Sequence, residues 1–381
     1  MVLRELLPNV AAQIKNVTVV LRDDRDDAFM FLLIALLFAG TTDSYETVKV
    51  ADGIWAFIAP EPKSALVSGN SIAIIGDDGV LVVDSGMVPS LTRRMIGEIK
   101  QKTGKPVRWV VNTHWHWDHN FGNFVYRDAY PNVAIISTPF TRASMADFNP
   151  KMLDPYQKRG AEIRKKLHER FEAHKNRDGS AMTAEQYELM KLLLVDFDNA
   201  LPEFAAGRIE LPDETITDSL TLYLGKREVD IRFPGRANTA GDLIVWVPDA
   251  KALMTGDLLV GPIPFATGSY VADWIASMKK LDALDASVIV PGHGPVERDE
   301  KHLQQITSLL QTIYDQVQQA VNAGLSLEET KKKVDVAKYA EALTAGVLTR
   351  QKNYDEYFLQ PVIETTWKQL KGLPTSESPF E

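Results

Sequence analysis

Three of the chain's seven histidines fall within six residues, in the stretch Thr113-His114-Trp115-His116-Trp117-Asp118-His119-Asn120. Imidazole nitrogens and a carboxylate oxygen are donors that suit zinc or a similar divalent ion. The residues just before, Pro106-Val107-Arg108-Trp109-Val110-Val111-Asn112, are apolar and β-branched and read as a buried strand. Along an extended strand end, residues two apart face the same way. His114, His116 and Asp118 can therefore converge on one point, with His119 following where the chain must turn. Burying so many polar groups without a ligand is costly. The competing reading, a solvated histidine-rich turn, leaves that concentration of donors without a purpose.

Other strand ends carry the same residue types. Ala252-Leu253-Met254-Thr255 is followed by Gly256-Asp257, and Ser287-Val288-Ile289-Val290 by Pro291-Gly292-His293-Gly294. Either alone reads as a turn. Beside the histidine cluster, they point to one site assembled along one edge of a sheet, with Asp257 and His293 as its distant donors.

The surrounding pattern supplies the strands. Val48–Ile58 reads as two strands around a turn, and Ser71–Asp84 as a hairpin with an Asp77-Asp78-Gly79 turn, closed by Asp84-Ser85-Gly86. Leu91, Met95, Ile96 and Ile99 recur at helical spacing over 90–103, ended by Gly104 and Pro106. Further strands are expected at 133–137, from Ile209, at 220–224, 228–233 and 243–247, with a helix at 271–284. Between them, about 140–205 is charged and helical and reads as an insertion that could cover a site. His168 and His174 lie there six apart, off a common helix face, and read as surface histidines.

The chain's 381 residues suffice for one large domain with additions. We expect a leader over 1–44, a main domain over 45–305 and a helical extension over 306–381. A composition of 45% hydrophobic and 24% charged residues is that of a globular protein. The net charge of −9 argues against a phosphate-tracking surface, so no nucleic-acid partner is expected. With no cysteine, any metal is held by nitrogen and oxygen. The apolar run over 28–40 is too short for a stable membrane span, which needs about 20 residues. It has the length of a signal-peptide core but lacks a basic flank. Export to the periplasm or beyond is the leading expectation, and a buried or interfacial helix in a cytoplasmic protein the alternative. Nothing in the sequence sets an oligomeric state.

Taken in order, Val83-Asp84-Ser85-Gly86, Thr113–His119, Gly235–Asp242, Gly256-Asp257 and Pro291–Gly294 make the chain resemble the metallo-β-lactamase-fold superfamily of metallohydrolases from about Val48 to Val296. The resemblance implies an α/β fold, a four-layer αβ/βα sandwich with two metal sites in a cleft at one edge. It implies His114 and His116 at the first metal, Asp118, His119 and His293 at the second, Asp257 bridging both, and Asp84 supporting the ligands without binding metal. Asp118 or Asp257 would hold the attacking water and pass on its proton. The chain departs from the pattern at Asn238, where the family usually has histidine. A neutral amide oxygen is a weaker zinc ligand than imidazole, so Asn238 is a doubtful ligand and the first site is expected to be the weaker. One or two zinc ions per chain are implied, with iron or manganese as alternatives at the weaker site. The implied activity is metal-dependent hydrolysis of a small-molecule ester, amide or lactam, lactone or thioester. The alternatives are phosphodiester cleavage on the same fold, or a degenerate metal-binding protein.

Overall fold

A seven-stranded sheet begins with two antiparallel hairpins, β1 (Glu46–Ala51) with β2 (Ile54–Ile58), and β3 (Ser71–Ile75) with β4 (Val80–Val83). It continues in parallel through β5 (Val107–Val111), β6 (Ala134–Ser137) and the short β7 (Glu214–Thr215). A second sheet of five strands has the order β12 (Val288–His293), β11 (Ala252–Val260), β10 (Ile244–Val247), β9 (Arg227–Arg232) and β8 (Ser219–Leu224). This computed structural model describes residues 45–61 and 68–375. The expected leader and its apolar run lie outside the described residues.

The sheets face each other across an apolar layer. Ile74, Leu81 and Val111 of one sheet join Ile231, Val245, Met254 and Val290 of the other in a single buried cluster. Strands covered on both faces read as continuous apolar runs, which is why β4, β10 and β11 are buried along their whole length. The outer face of the first sheet is covered by α1 (Pro89–Thr103), which contributes Met95 and Ile99, and by α3 (Asn123–Ala129), which contributes Phe124; the four-residue α2 (Trp117–Asn120) lies between them in sequence. Pro89 at the start of α1 and a left-handed Gly104 at its end fix its limits. Helices therefore sit outside both sheets, in the order helix, sheet, sheet, helix.

The helical stretch after β6 forms α4 (Pro139–Glu172) and α5 (Ala184–Ala206). Thr138 caps the first, and Thr183 with Gln186 closes a capping box on the second. Pro150 and Pro155 lie inside α4, and Arg159 breaks its helical geometry, a kink with an identifiable cause. No regular strand begins at Ile209; the chain runs irregularly to β7 at Glu214.

On the second sheet α6 (Val271–Asp282) packs beside α7 (Lys301–Asn322), followed by α8 (Leu327–Lys333), α9 (Ala337–Thr344), α10 (Leu348–Asn353), a π-helical turn over Tyr354–Leu359, and α11 (Gln360–Leu370). α7 runs across the 305/306 boundary expected from the sequence. Among the described residues, no helix is long and apolar enough to cross a membrane.

Candidate metal centre

The parallel strands β4 and β5 end side by side, as do β11 and β12 in the other sheet. In sheets of this kind ligands bind beyond the carboxyl ends of the strands. Asp84 follows β4 in a left-handed conformation, φ 56°, which aspartate tolerates better than most residues. That turn aims its carboxylate along the edge. Oδ1 accepts the Thr113 backbone N–H at 2.8 Å, and Oδ2 accepts the Thr113 hydroxyl at 2.8 Å. Oδ2 also accepts Nδ1–H of His119 at 2.9 Å. With its proton given to Asp84, the Thr113 hydroxyl oxygen is left to accept Nδ1–H of His114 at 3.0 Å. One buried carboxylate thus fixes the tautomer of two imidazoles and leaves both Nε2 lone pairs facing inward.

Those lone pairs meet other donors nitrogen to nitrogen. His114 Nε2 lies 2.9 Å from His116 Nδ1, and His119 Nε2 lies 3.0 Å from His293 Nε2. Asp118 Oδ2 is 3.3 Å from His119 Nε2 and 3.2 Å from His293 Nε2. Asp257 Oδ1 is 3.3 Å and 3.6 Å from the same two nitrogens, while its Oδ2 is 3.6 Å from His114 Nε2. A tetrahedral zinc with donors at about 2.0–2.1 Å spaces them about 3.3 Å apart. The donors form two groups, His114, His116 and Asp257, and Asp118, His119 and His293. Asp257 joins the second through its other oxygen. That oxygen is buried and has no hydrogen-bond partner among the described residues, an expensive state for a carboxylate unless a cation sits beside it. The residues present fit a divalent metal.

The electrostatics have the same cause. Burial pulls the His114 and His116 imidazoles below their ordinary range, keeping them neutral with a ring-nitrogen lone pair free to ligate. Burial opposes the ionised form of Asp118, but His119 and His293 hold it well below the usual carboxylate range. Burial would also lower His119, yet Asp257, Asp118 and Asp84 raise it well above the ordinary value. Three carboxylates gathered on one imidazole mark an excess of negative charge at this point.

The strand-end reading grouped His114, His116 and Asp118. The structure instead places Asp118 and His119 on α2, turning them away from the first pair towards His293. Asp257 sits inside β11, not in a turn after it, where the ladder with β12 is irregular between Met254 and Val260. Asn238 is 1% exposed and lies in the loop before β10. His168 and His174 stay remote: the first contacts Asp198 at 3.0 Å and the second stacks on Tyr187.

Several residues that hold the site carry no local sequence signal. Asn70 donates to Pro291 O and Gly294 O, both at 2.9 Å, and accepts the Ala59 N–H at 3.0 Å, clamping the loop that bears His293. A Cβ at Gly292 would lie 2.0 Å from Asp257 Oδ1, and one at Gly69 2.4 Å from the His119 ring. Asn120 donates to His116 O at 2.7 Å and accepts from Asn149 of α4 at 2.9 Å, tying the helical insertion to the ligand loop. Trp115 packs on Phe148 and Trp117 stacks on Tyr156, so both tryptophans are occupied in holding α4.

The family model of the metallo-beta-lactamase superfamily matches residues 65–293, across both donor groups. The chain belongs to this superfamily. Its members are metal-dependent hydrolases that include lactamases and alkylsulfatases. The chain is 26% identical over 289 residues to a linear primary-alkylsulfatase of Pseudomonas sp. (strain ATCC 19151), a match spanning 70% of this chain and 50% of that protein. The chain thus spans about half the length of that relative. It is 23% identical over 292 residues to the metallo-beta-lactamase type 2 of Elizabethkingia meningoseptica, covering 75% and 92% of the two chains. Among solved structures, a metallo-beta-lactamase from Pontibacter korlensis aligns over 70% of this chain and 99% of its own, with 19% identity and a TM-score of 0.47.

Proposed function

We propose that this chain is a zinc-dependent hydrolase of small esters, amides or lactams, lactones or thioesters, working at a two-metal centre bridged by Asp257. The observation that supports it most strongly is the inequality of the two donor groups. Asp118, His119, His293 and Asp257 Oδ1 make four donors, a closed set. His114, His116 and Asp257 Oδ2 make three. Structural zinc sites are closed and catalytic ones keep a position that a reacting group can take; on the His114/His116 side the fourth position is filled by no imidazole or carboxylate among the described residues, so the reacting group belongs there. A divalent ion there supplies a lowered pKa for water, towards about 7, and positive charge for a developing oxyanion.

The protein's own residues do the rest. Asp118 is held ionised by its two histidines and retains 17% side-chain exposure, so it can accept a proton from water entering the cleft. Asp84 and Thr113 keep His114 and His119 from rotating. Trp115 against Phe148 closes one wall and limits water beside His116.

Sulfate-ester cleavage is a second reading within the same chemistry. It is favoured by the likeness to the alkylsulfatase and by an apolar wall at the site. The Phe265 ring meets the His116 ring edge-on at 5.6 Å and stacks on Tyr357 at 6.3 Å. A panel of chromogenic lactam, lactone, thioester, alkyl sulfate and phosphodiester substrates with added zinc tests both readings. Turnover of one of the first four, lost at least about a hundredfold in His116→Ala and Asp118→Asn proteins that keep their circular dichroism, is the expected result. Turnover confined to the phosphodiester, or none in zinc-loaded protein, would reject it.

A further inference from the structure

The carbonyl oxygen of Asn238 is buried and has no hydrogen-bond partner among the described residues. The residue is 1% exposed, so bulk solvent does not reach it. An orphaned amide oxygen in a protein interior costs about 1–3 kcal/mol, and most such atoms are satisfied by a partner or an ion. The orientation of the amide is not in question, because Nδ2 donates to the backbone carbonyl of Phe265. A flipped amide would set oxygen against oxygen. Two contacts place this loop beside the first donor group. The ring of Phe265 lies against that of His116, and farther along the loop Leu243 N–H donates to Thr113 O at 2.8 Å, one residue before His114.

We propose that Asn238 Oδ1 is a neutral, weak donor to the metal of the His114/His116 group, and that this metal is consequently the more loosely held and exchangeable of the two. The inference rests on the two-metal reading above. Charge points the same way. The second group owns Asp118 outright and shares Asp257, whereas the first only shares Asp257. Divalent affinity rises with carboxylate count, and an amide oxygen adds a dipole without adding charge. Hard oxygen donors also widen the choice of metal beyond zinc. The tie from Nδ2 to Phe265 fixes the amide in advance, so little entropy is lost when it ligates.

Cobalt(II) alone, titrated into the metal-free protein against a chromophoric chelator and followed by its visible absorption, provides a readout independent of turnover. Two cobalt ions of unequal affinity are expected. Asn238→Leu, close in volume and without a donor, should weaken the looser ion at least about tenfold and leave the tighter one unchanged. Asn238→Asp adds a charge at the same place and should tighten the looser ion and shift its absorption bands. It serves as the deciding variant should the leucine protein fail to fold. A looser ion whose affinity and spectrum are the same in folded wild type, Asn238→Leu and Asn238→Asp would overturn the inference and leave the two-metal reading intact. Should wild type bind only one cobalt ion, or His116→Ala leave the looser ion unchanged, the His114/His116 metal site itself falls, and the role of Asn238 with it.

Discussion

Asp84 accepts three hydrogen bonds in a site where it donates none: from the backbone and hydroxyl of Thr113 and from His119 Nδ1. Asp84→Asn would turn an amide N–H towards at least one of those donors and release the imidazole it holds. Outer partners of this type are worth about 10–100-fold in metal affinity. A fall of that size, measured by chelator competition in a protein with unchanged circular dichroism, is expected. His168→Ala, which removes a partly exposed ring whose polar contact is Asp198 of the insertion, should leave metal affinity unchanged. The contrast shows what was legible at this scale. His114, His116, Asp118 and His119 announce themselves because six residues hold four donors. Asp257 and His293 are visible only as members of a motif order. Gly69, Asn70 and Asn149 are invisible, because each acts on a partner far along the chain. Asn70 reaches 221 residues to Pro291, and nothing in the local pattern distinguishes it from a loop asparagine.

At the scale of elements, the strands and helices were legible wherever burial on both faces produced an unbroken apolar run or burial on one face a helical period. The misreadings share a cause. β11 continues past Gly256 because β12 and the Asn70 clamp hold its irregular end, while Ile209 has the residues of a strand but pairs with none among the described residues. The clamp itself is testable. Asn70→Ala removes three hydrogen bonds, to Pro291 O and Gly294 O and from the Ala59 N–H, at a cost of about 2–4 kcal/mol. A lowered denaturation midpoint with a slope unchanged from wild type would report it. Glu297, paired through its backbone with Ile289 at the other end of β12, provides a pH signature. Burial, reinforced by Asp299, pushes its carboxyl up from 4.5 to about 7. Glu46, Glu61, His302 and Arg350 line the same cavity of about 840 Å³. A carboxyl raised on folding favours the native state below its unfolded pKa and loses that contribution as pH rises through the folded value. Melting temperature in excess metal should therefore fall between about pH 5 and 8 by an amount that Glu297→Gln abolishes. An equal fall in both proteins would assign the dependence to other groups.

At the scale of the whole molecule, the C-terminal helices complete the second face of the sandwich and also reach the cleft. Leu303, Ile306, Leu310, Ile313 and Val317 of α7 are buried against Trp274 and Met278 of α6 and Phe358, Val362 and Ile363 farther on. Leu310→Ala in that cluster should cost about 2–5 kcal/mol. The same segment that buries Phe358 presents Tyr357 outward through the π-helical turn, a local widening that often marks a functional position. Tyr357 O accepts the Ala266 N–H at 2.9 Å, which holds the 48%-exposed ring in its stack with Phe265 beside His116. A substrate whose reacting group sits at the first metal would lay an attached alkyl chain along these two rings. Each methylene removed from water is worth about 0.8 kcal/mol when fully buried, and a half-open wall recovers a fraction of that. Tyr357→Ser keeps the backbone bond to Ala266 and removes only the ring. It should raise KM for substrates with long alkyl groups about 3–10-fold, leave kcat within about twofold, and leave short-chain substrates and the melting temperature unaffected. A KM rise equal for long and short chains would mean that the ring shapes the first metal site instead of the substrate's tail, and a fall in kcat alone would mean that the C-terminal segment positions His116 through Phe265.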